Sequence, residues 1–100
     1  MIRWMRTAQI AAGKNKPAIT WAKEITEFSK KYEGISSINV FMDSFGQVGT
    51  IRWIVDYKNF ASFEKVQKQI ADDQEYWQMV EKVPELFIID KIHDTLMTSI

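Results

Sequence analysis

Residues 36–57, "SSINVFMDSFGQVGTIRWIVDY", decide the fold of this 100-residue chain. Apolar and polar side chains alternate over 36–44 and again over 49–57, and "FGQVG" at 45–49 places two glycines between the two runs. Alternation with a period of two is typical of half-buried strands, and a glycine-containing break between two such runs predicts a β-hairpin. A turn at 45–48 sets a register in which apolar residues face each other: Ile38 and Val55, Val40 and Trp53, Met42 and Ile51.

This predicted hairpin has two different faces. Side chains alternate along a strand, so the apolar pairs share one face, which we expect to pack beneath helices. A mixed face with large apolar groups needs a cover, and a second copy of the same sheet is the simplest one. We therefore predict a homodimer formed through the mixed face of the sheet. That face holds Asn39, Phe41, Asp43, Thr50, Arg52, Ile54 and Asp56.

The sequence before the hairpin predicts a strand and a helix. Residues 2–12 read as a strand, and apolar residues at helical spacing run from Ala18 towards Gly34. Asn15 is placed to cap this helix, and Gly34 to end it.

The sequence after the hairpin predicts the same two elements again. Asn59 can cap a second helix, which we expect to break near residues 72–73 and to stop at Pro84. Residues 86–97 read as a last strand. The order β-α-β-β-α-β predicts one α+β domain over residues 1–100 with a ferredoxin-like, four-stranded antiparallel sheet and both helices on one face. The first and third strands are expected in the centre of the sheet.

The tripeptide Ile-Arg-Trp occurs at residues 2–4 and again at residues 51–53, at the start of each predicted central strand. Strand parity places Arg52 on the mixed face, and the pseudo-symmetry of the two halves places Arg3 there as well. Arg6 then points to the helix side together with Ile2 and Trp4. This arrangement predicts a bulge or an early strand end near residue 6.

Composition excludes several classes of function. The chain has 13 Lys+Arg and 13 Asp+Glu, so it lacks the clustered positive charge that nucleic acid and anionic membranes attract. It has no cysteine and one histidine, which argues against disulfides, cysteine-based zinc sites and any metal site. No apolar run approaches the roughly 20 residues of a membrane span, and the N-terminus lacks a signal-peptide core. These features predict a cytoplasmic protein.

In outline the chain resembles the dimeric α+β barrel superfamily, which includes antibiotic-biosynthesis-monooxygenase-like and NIPSNAP-like domains. The resemblance rests on the element order and on three stretches: "AITWAKEITEFSKKYEG" at 18–34, "GTIRWIVDYKNFASFEKV" at 49–66 and "LFIIDKIHD" at 86–94. It implies a homodimer with a pocket between sheet and helices or between the two sheets. Some members oxygenate aromatic substrates without a cofactor, some degrade haem, and many have no known activity.

Two candidates for catalysis are Asn39 and His93. The resemblance implies that a cofactor-independent oxygenase uses Asn, Trp or His near its pocket, so Asn39 either positions an oxygen species or is an ordinary edge-strand residue. His93 is either a general base or a solvated histidine. It lies in the predicted last strand and not on a helix, which disfavours the haem-degrading branch.

The candidate ligand contacts are mostly on the mixed face. Arg52, with a carboxylate on either side, either binds an anionic group of a ligand or forms an ion pair that keeps the dimer in register. Trp77, next to Tyr76 in the second helical region, either covers a pocket or caps the core. The full set is Phe41, Asp43, Arg52, Asp56 and Trp77.

Two functional hypotheses follow. The first is a protein without robust catalysis that is structural or binds a small apolar or aromatic molecule, because no catalytic triad, phosphate-binding loop or metal-ligand cluster is present. The alternative is a cofactor-independent monooxygenase-like enzyme acting on an aromatic or polyketide-like compound. Neither hypothesis requires a cofactor.

Overall fold

The computed structural model describes residues 1–100 and contains four strands, three helices and one further helical turn. The β-α-β-β-α-β order is confirmed, with the second helical region divided in two. In chain order the elements are β1 (Ile2–Ile10), α1 (Asn15–Ser29), β2 (Ile35–Met42), β3 (Thr50–Tyr57), α2 (Phe60–Ala71), α3 (Gln74–Val80), the turn α4 (Val83–Leu86) and β4 (Phe87–Thr98).

The four strands form one antiparallel sheet in the order β2-β3-β1-β4, so the first and third strands are central as predicted. The hairpin register is also as predicted, with Ile38 opposite Val55 and Val40 opposite Trp53. The Asp43 N–H donates to the Thr50 carbonyl at 3.1 Å and closes the loop between the strands. The helices pack on one side of the sheet, and the other side is called the open face below.

The predicted bulge near residue 6 is wrong. Strand β1 pairs with β3 without a register shift from Ile2 to Gln9, and Arg6 keeps its place on the helix side. The irregularity lies instead in β4, where Ala8 is opposite Ile92 and Ile10 is opposite Phe87. Residues 88–91 therefore bulge out of the ladder, which puts Phe87 and Ile92 on the same side of the sheet.

The core between sheet and helices consists of two clusters. In the first, the rings of Trp21, Trp53 and Phe87 meet edge to face, with centroid distances of 5.6–6.0 Å. The second cluster is built from Ile2, Tyr32, Val55, Tyr57 and Val66. Trp4 and Tyr76 contact both clusters, and the candidate site opens beside them.

Two of the predicted boundaries in the second helical region are confirmed and one is wrong. The Asn59 side chain accepts from the Ser62 N–H at 2.9 Å and caps α2. Asp73 caps α3 after the predicted break. Helix α3 ends at Val80, so Pro84 does not stop it. Pro84 instead lies in the first turn of α4, where its missing N–H costs no hydrogen bond.

The start and end of α1 differ from the predictions. The N-cap position is Lys14, which makes no side-chain cap, and Asn15 is already helical. The helix ends at Ser29, before Gly34. Gly34 has a φ of +114°, and a Cβ atom there would lie 3.0 Å from the Ser62 carbonyl oxygen. Glycine is thus required where the chain enters β2 against α2.

Candidate functional site

A charged pair lies on the helix side of the sheet, among positions that otherwise carry core side chains. Arg6 of β1 donates from Nε to Asp94 Oδ1 and from Nη2 to Asp94 Oδ2, both at 2.7 Å. The guanidinium carbon is 5.0 Å from the centroid of the Trp4 ring. Bidentate pairing and cation–π contact fix the orientation of Arg6. The hydrogen bonds with Asp94 raise the pKa of Arg6, which stays charged.

This pair borders a cavity of about 350 Å³ between the sheet and the helices. The Arg6 and Asp94 side chains are 38% and 43% exposed, so they lie near the mouth of the cavity. Its volume is within the roughly 300–1,000 Å³ of small-molecule sites. Thirteen of its 17 lining residues are hydrophobic. The aromatic ones are Trp4, Tyr32, Tyr57, Phe63, Tyr76 and Trp77.

Hydrogen bonds and an ion pair of Asp73 fix the cavity wall that α3 forms. The Asp73 carboxylate accepts from the Tyr32 hydroxyl at 2.7 Å and pairs with Lys31 Nζ at 2.6 Å. The same side chain caps α3 at the Tyr76 N–H. The hydrogen bond from Lys31, followed by that from Tyr32, lowers the pKa of Asp73. Asp73 thereby joins the end of α1 to the start of α3, which carries two aromatic rings of the cavity.

The tyrosines of the cavity are neutral at ordinary pH. Burial raises the pKa of Tyr57 to about 12 and also raises that of Tyr76. Burial, together with the hydrogen bond to Asp73, raises the pKa of Tyr32. Phenols in this state supply apolar ring surface and a hydroxyl that can donate or accept a hydrogen bond.

A smaller space of about 60 Å³, here called the inner lobe, adjoins the cavity beneath α1. Trp21, Ile25 and Thr26 line it from α1, and Trp53 lines it from the sheet. The wall shared with the main cavity consists of Trp4, Arg6, Ser29, Ile38, Tyr76 and Val80. A ligand in the main cavity would therefore lie next to the inner lobe.

Most of the residues singled out from the sequence lie on the open face. Arg52 donates to the two Asp43 oxygens at 2.8 and 3.0 Å, and Arg3 donates to the two Asp56 oxygens at the same distances. The hydrogen bonds from the arginines lower the pKa of both carboxyl groups. Both arginines of the repeated Ile-Arg-Trp tripeptide thus point to the open face, as predicted.

The remaining candidates are divided between the two sides of the sheet. His93 is opposite Thr7, which is opposite Arg52, so His93 is on the open face. Asn39 is also there, opposite Ile54. The exposed ring of Phe41 faces Arg52. None of these residues lines the cavity; of the named ligand contacts, only Trp77 does.

Sequence reasoning missed Arg6 and Asp94 as site residues. The sequence pattern did indicate them. Arg6 alternates in step with the core residues Ile2 and Trp4 of β1, and Asp94 alternates in step with Ile92 and Leu96 of β4. When side chains of opposite charge occupy core-facing positions on neighbouring strands, they are expected to form an ion pair on the helix side of the sheet.

The comparisons with known proteins agree with this architecture. The NIPSNAP family matches residues 4–100. The chain belongs to the NIPSNAP family. The resemblance stated from the sequence is therefore confirmed. Comparison with curated proteins finds no match.

Solved structures with the same fold include relatives of this NIPSNAP chain and monooxygenase-like proteins. A NIPSNAP domain protein from Burkholderia xenovorans has a TM-score of 0.79 at 13% identity, covering 100% of this chain and 95% of that one. An antibiotic biosynthesis monooxygenase has a TM-score of 0.79 at 12% identity, with coverages of 100% and 99%. A Bacteroides thetaiotaomicron protein of unknown function, described as a possible oxidoreductase, scores 0.73 at 20% identity, with coverages of 96% and 94%.

The NIPSNAP chain shows no cluster of three or more His, Cys, Asp or Glu side chains that could hold a metal ion. None of its helices combines the length and the apolar character needed to cross a membrane. What the site offers chemically is aromatic surface, neutral phenols and one self-neutralised ion pair. These groups suit the binding of an apolar molecule that carries a few polar atoms.

Proposed function

We propose that this NIPSNAP protein binds a small apolar or aromatic molecule in the cavity between its sheet and its helices. The single observation that carries the proposal is a cavity of about 350 Å³ with six aromatic side chains in its wall and the Arg6–Asp94 pair near its mouth. Aromatic walls favour flat ligands, and a fixed polar group at one end gives such a ligand an orientation.

We further propose that the protein is a homodimer joined through the open face. The face combines exposed Phe41 with the half-buried side chains of Met5 and Ile54. Its arginines already hold bidentate carboxylate partners, so a second copy can cover them without leaving a charge unpaired. A sheet that meets its own copy in this way keeps the cavity, on the opposite side, open to ligand.

Binding is favoured over catalysis because of where the candidate catalytic residues lie. Asn39 and His93 are on the open face, while the cavity is on the helix side. The alternative, a cofactor-independent monooxygenase-like activity, draws on the name of one solved structure with this fold. With Asn39 and His93 outside the cavity, it would have to rely on the tryptophans of the wall, Trp4 and Trp77.

Amide NMR titration tests the binding proposal with two probes of one ring shape, fluorene and 9-fluorenone. We expect saturable shifts at cavity residues such as Gln67 and Tyr76, with Asn39 and His93 unmoved. The proposal is contradicted if neither compound produces saturable shifts, or if the shifts appear only on the open face. Oxygen-dependent conversion of either compound would favour the enzyme instead.

A further inference from the structure

One buried polar group is left without a partner by the fold. The indole Nε1–H of Trp53 is fully buried and donates to no acceptor in the protein. Buried donors are almost always satisfied, and leaving one unpaired destabilises the fold. Two other indoles have partners: Trp21 donates to the Met79 carbonyl at 2.8 Å, and the exposed Trp77 donates to the Ile70 carbonyl at 3.0 Å.

The position of Trp53 puts its side chain at the edge of the site. Trp53 is directly opposite Arg6 in the sheet, and Arg6 is opposite Asp94, so the three form one row on the helix side. Edge-to-face contacts with Trp21 and Phe87, at 6.0 Å each, hold its ring. Its side chain is 6% exposed and lines the inner lobe.

The other polar side chains of the inner lobe on α1 are already engaged. The Thr26 hydroxyl donates to the Ala22 carbonyl and the Ser29 hydroxyl to the Ile25 carbonyl, each at 2.7 Å within α1. The lobe of about 60 Å³ has room for a carbonyl group or for two water molecules at roughly 30 Å³ each. Among the buried side-chain donors that border the lobe, the Trp53 indole N–H is the one left without an acceptor.

Charge narrows the choice of ligand. Arg6 and Asp94 neutralise each other, and no other formally charged side chain lines the cavity or the inner lobe. A carboxylate drawn into this space would add an unbalanced negative charge in a mostly apolar surrounding, which is costly. An uncharged acceptor such as a ketone oxygen needs only the Trp53 donor.

We propose, on the basis of the binding function above, that the ligand is an uncharged aromatic compound whose carbonyl-type oxygen enters the inner lobe and accepts from the Trp53 indole N–H. Trp53 thus determines specificity for an acceptor oxygen. The aromatic rings of the ligand then remain in the main cavity, against Tyr76 and Trp4.

The indole NMR signals of the wild-type protein test this directly. The four tryptophans give separate side-chain signals, and Trp53→Phe identifies that of Trp53 by its loss. We expect 9-fluorenone to shift the Trp53 indole proton downfield with the same saturation as the cavity amides. Fluorene, which has no oxygen, should leave that signal near its place and bind roughly fivefold more weakly, as for one net hydrogen bond. In Trp53→Phe this preference should vanish.

The outcomes separate this inference from the binding function. If both compounds bind the cavity with equal affinity and the Trp53 proton does not move, an ordered water satisfies the indole and the inference is wrong, while the binding function stands. If neither compound binds, both proposals fall. Fluorene-9-carboxylate binding more tightly than 9-fluorenone would overturn the argument from charge. The wild-type comparison stands even if Trp53→Phe does not fold.

Discussion

Arg6 and Asp94 neutralise each other on the core side of the sheet, with both carboxylate oxygens 2.7 Å from guanidinium nitrogens. A cation at a core position would normally disrupt packing, yet β1 stays regular through it. The reason is that β4 brings an anion to the facing position, and the side chains of the pair keep partial contact with water. The pair thus marks a break in the apolar core, at which the cavity opens.

The coupling of this pair is measurable by a double-mutant cycle with Arg6→Met and Asp94→Leu. We expect a coupling free energy of about 1 kcal/mol, since both side chains are partly exposed and screened by solvent. Urea denaturation of the four proteins gives the value. The exposed Lys30–Glu27 pair at the C-terminal end of α1 is the control and should couple by only about 0.3 kcal/mol. Equal coupling in the two cycles would show that Arg6 and Asp94 are an ordinary surface pair.

Gly34→Ala should destabilise the protein more than Gly13→Ala. Both glycines have a positive φ, but a Cβ at Gly34 would lie 3.0 Å from the Ser62 carbonyl oxygen, whereas one at Gly13 meets nothing within 4 Å. In each variant the positive φ should lower the free energy of unfolding by about 1–2 kcal/mol. At Gly34 the contact with α2 should lower it by roughly 1 kcal/mol or more in addition. Urea denaturation of both variants measures these losses of stability. Equal losses would mean that Gly34 is required only for its backbone conformation.

Stability should fall as the pH drops below about 4. The pKa values of Asp43, Asp56 and Asp73 lie below their ordinary 3.8 because each carboxylate accepts hydrogen bonds from a cationic partner. A depressed folded-state pKa means that the unfolded chain binds protons first, so this stabilisation is present above pH 3.8 and is lost on further acidification.

Asp56→Asn isolates one of these contributions. The difference in unfolding free energy between wild type and variant should be larger at pH 6 than at pH 2.5, because acidification protonates Asp56 and weakens its pair with Arg3. Asp90→Asn, in the exposed bulge of β4, is the control, because Asp90 forms no ion pair and its replacement should change stability little. A pH-independent effect of Asp56→Asn would contradict the assigned role of the pair with Arg3.

The dimer proposal predicts about twice the 11.7 kDa chain mass in light scattering at micromolar concentration. Phe41→Asp should dissociate the protein or unfold it, because it places a charge in the proposed interface. Phe60→Asp is the matched control, since Phe60 on α2 is 51% exposed and Phe41 is 54% exposed. A wild-type monomer, or a Phe41→Asp variant that still dimerises, would contradict the proposal.

The hairpin and the sheet order were predictable from the sequence, because strand parity is a strong signal where one face is wholly apolar. Ile51, Trp53 and Val55 fix the register, since a shift by one residue would expose all three. The bulge at residues 88–91 was not predictable, because "FIIDK" alternates poorly and both of its faces carry isoleucine.

Most of the ligand contacts predicted from the sequence lie on the open face, whereas the cavity lies on the helix side. Mixed polarity led to Asn39 and Arg52, while the cavity formed where the helices leave space over Arg6 and Trp4. Such a space depends on how α3 follows α2 at Asp73. The sequence predicts the break there, but not the hydrogen bond from Tyr32 that fixes Asp73 in place. The unpaired Trp53 donor likewise follows from packing, since the Trp21 and Phe87 rings meet its ring edge to face and no acceptor comes within hydrogen-bond distance of its Nε1.

Calorimetric titration of 9-fluorenone into wild type, Val80→Phe and Val48→Phe tests the central claim most directly. Val80 lies in the wall between the cavity and the inner lobe, whereas Val48 is an exposed loop residue. We predict that wild type binds 9-fluorenone at one site per chain. In Val80→Phe the affinity should fall about tenfold or more, which corresponds to about 1.4 kcal/mol of binding free energy. In Val48→Phe the affinity should not change. Equal binding by all three proteins, or no binding to wild type, would contradict the claim that this cavity is the binding site.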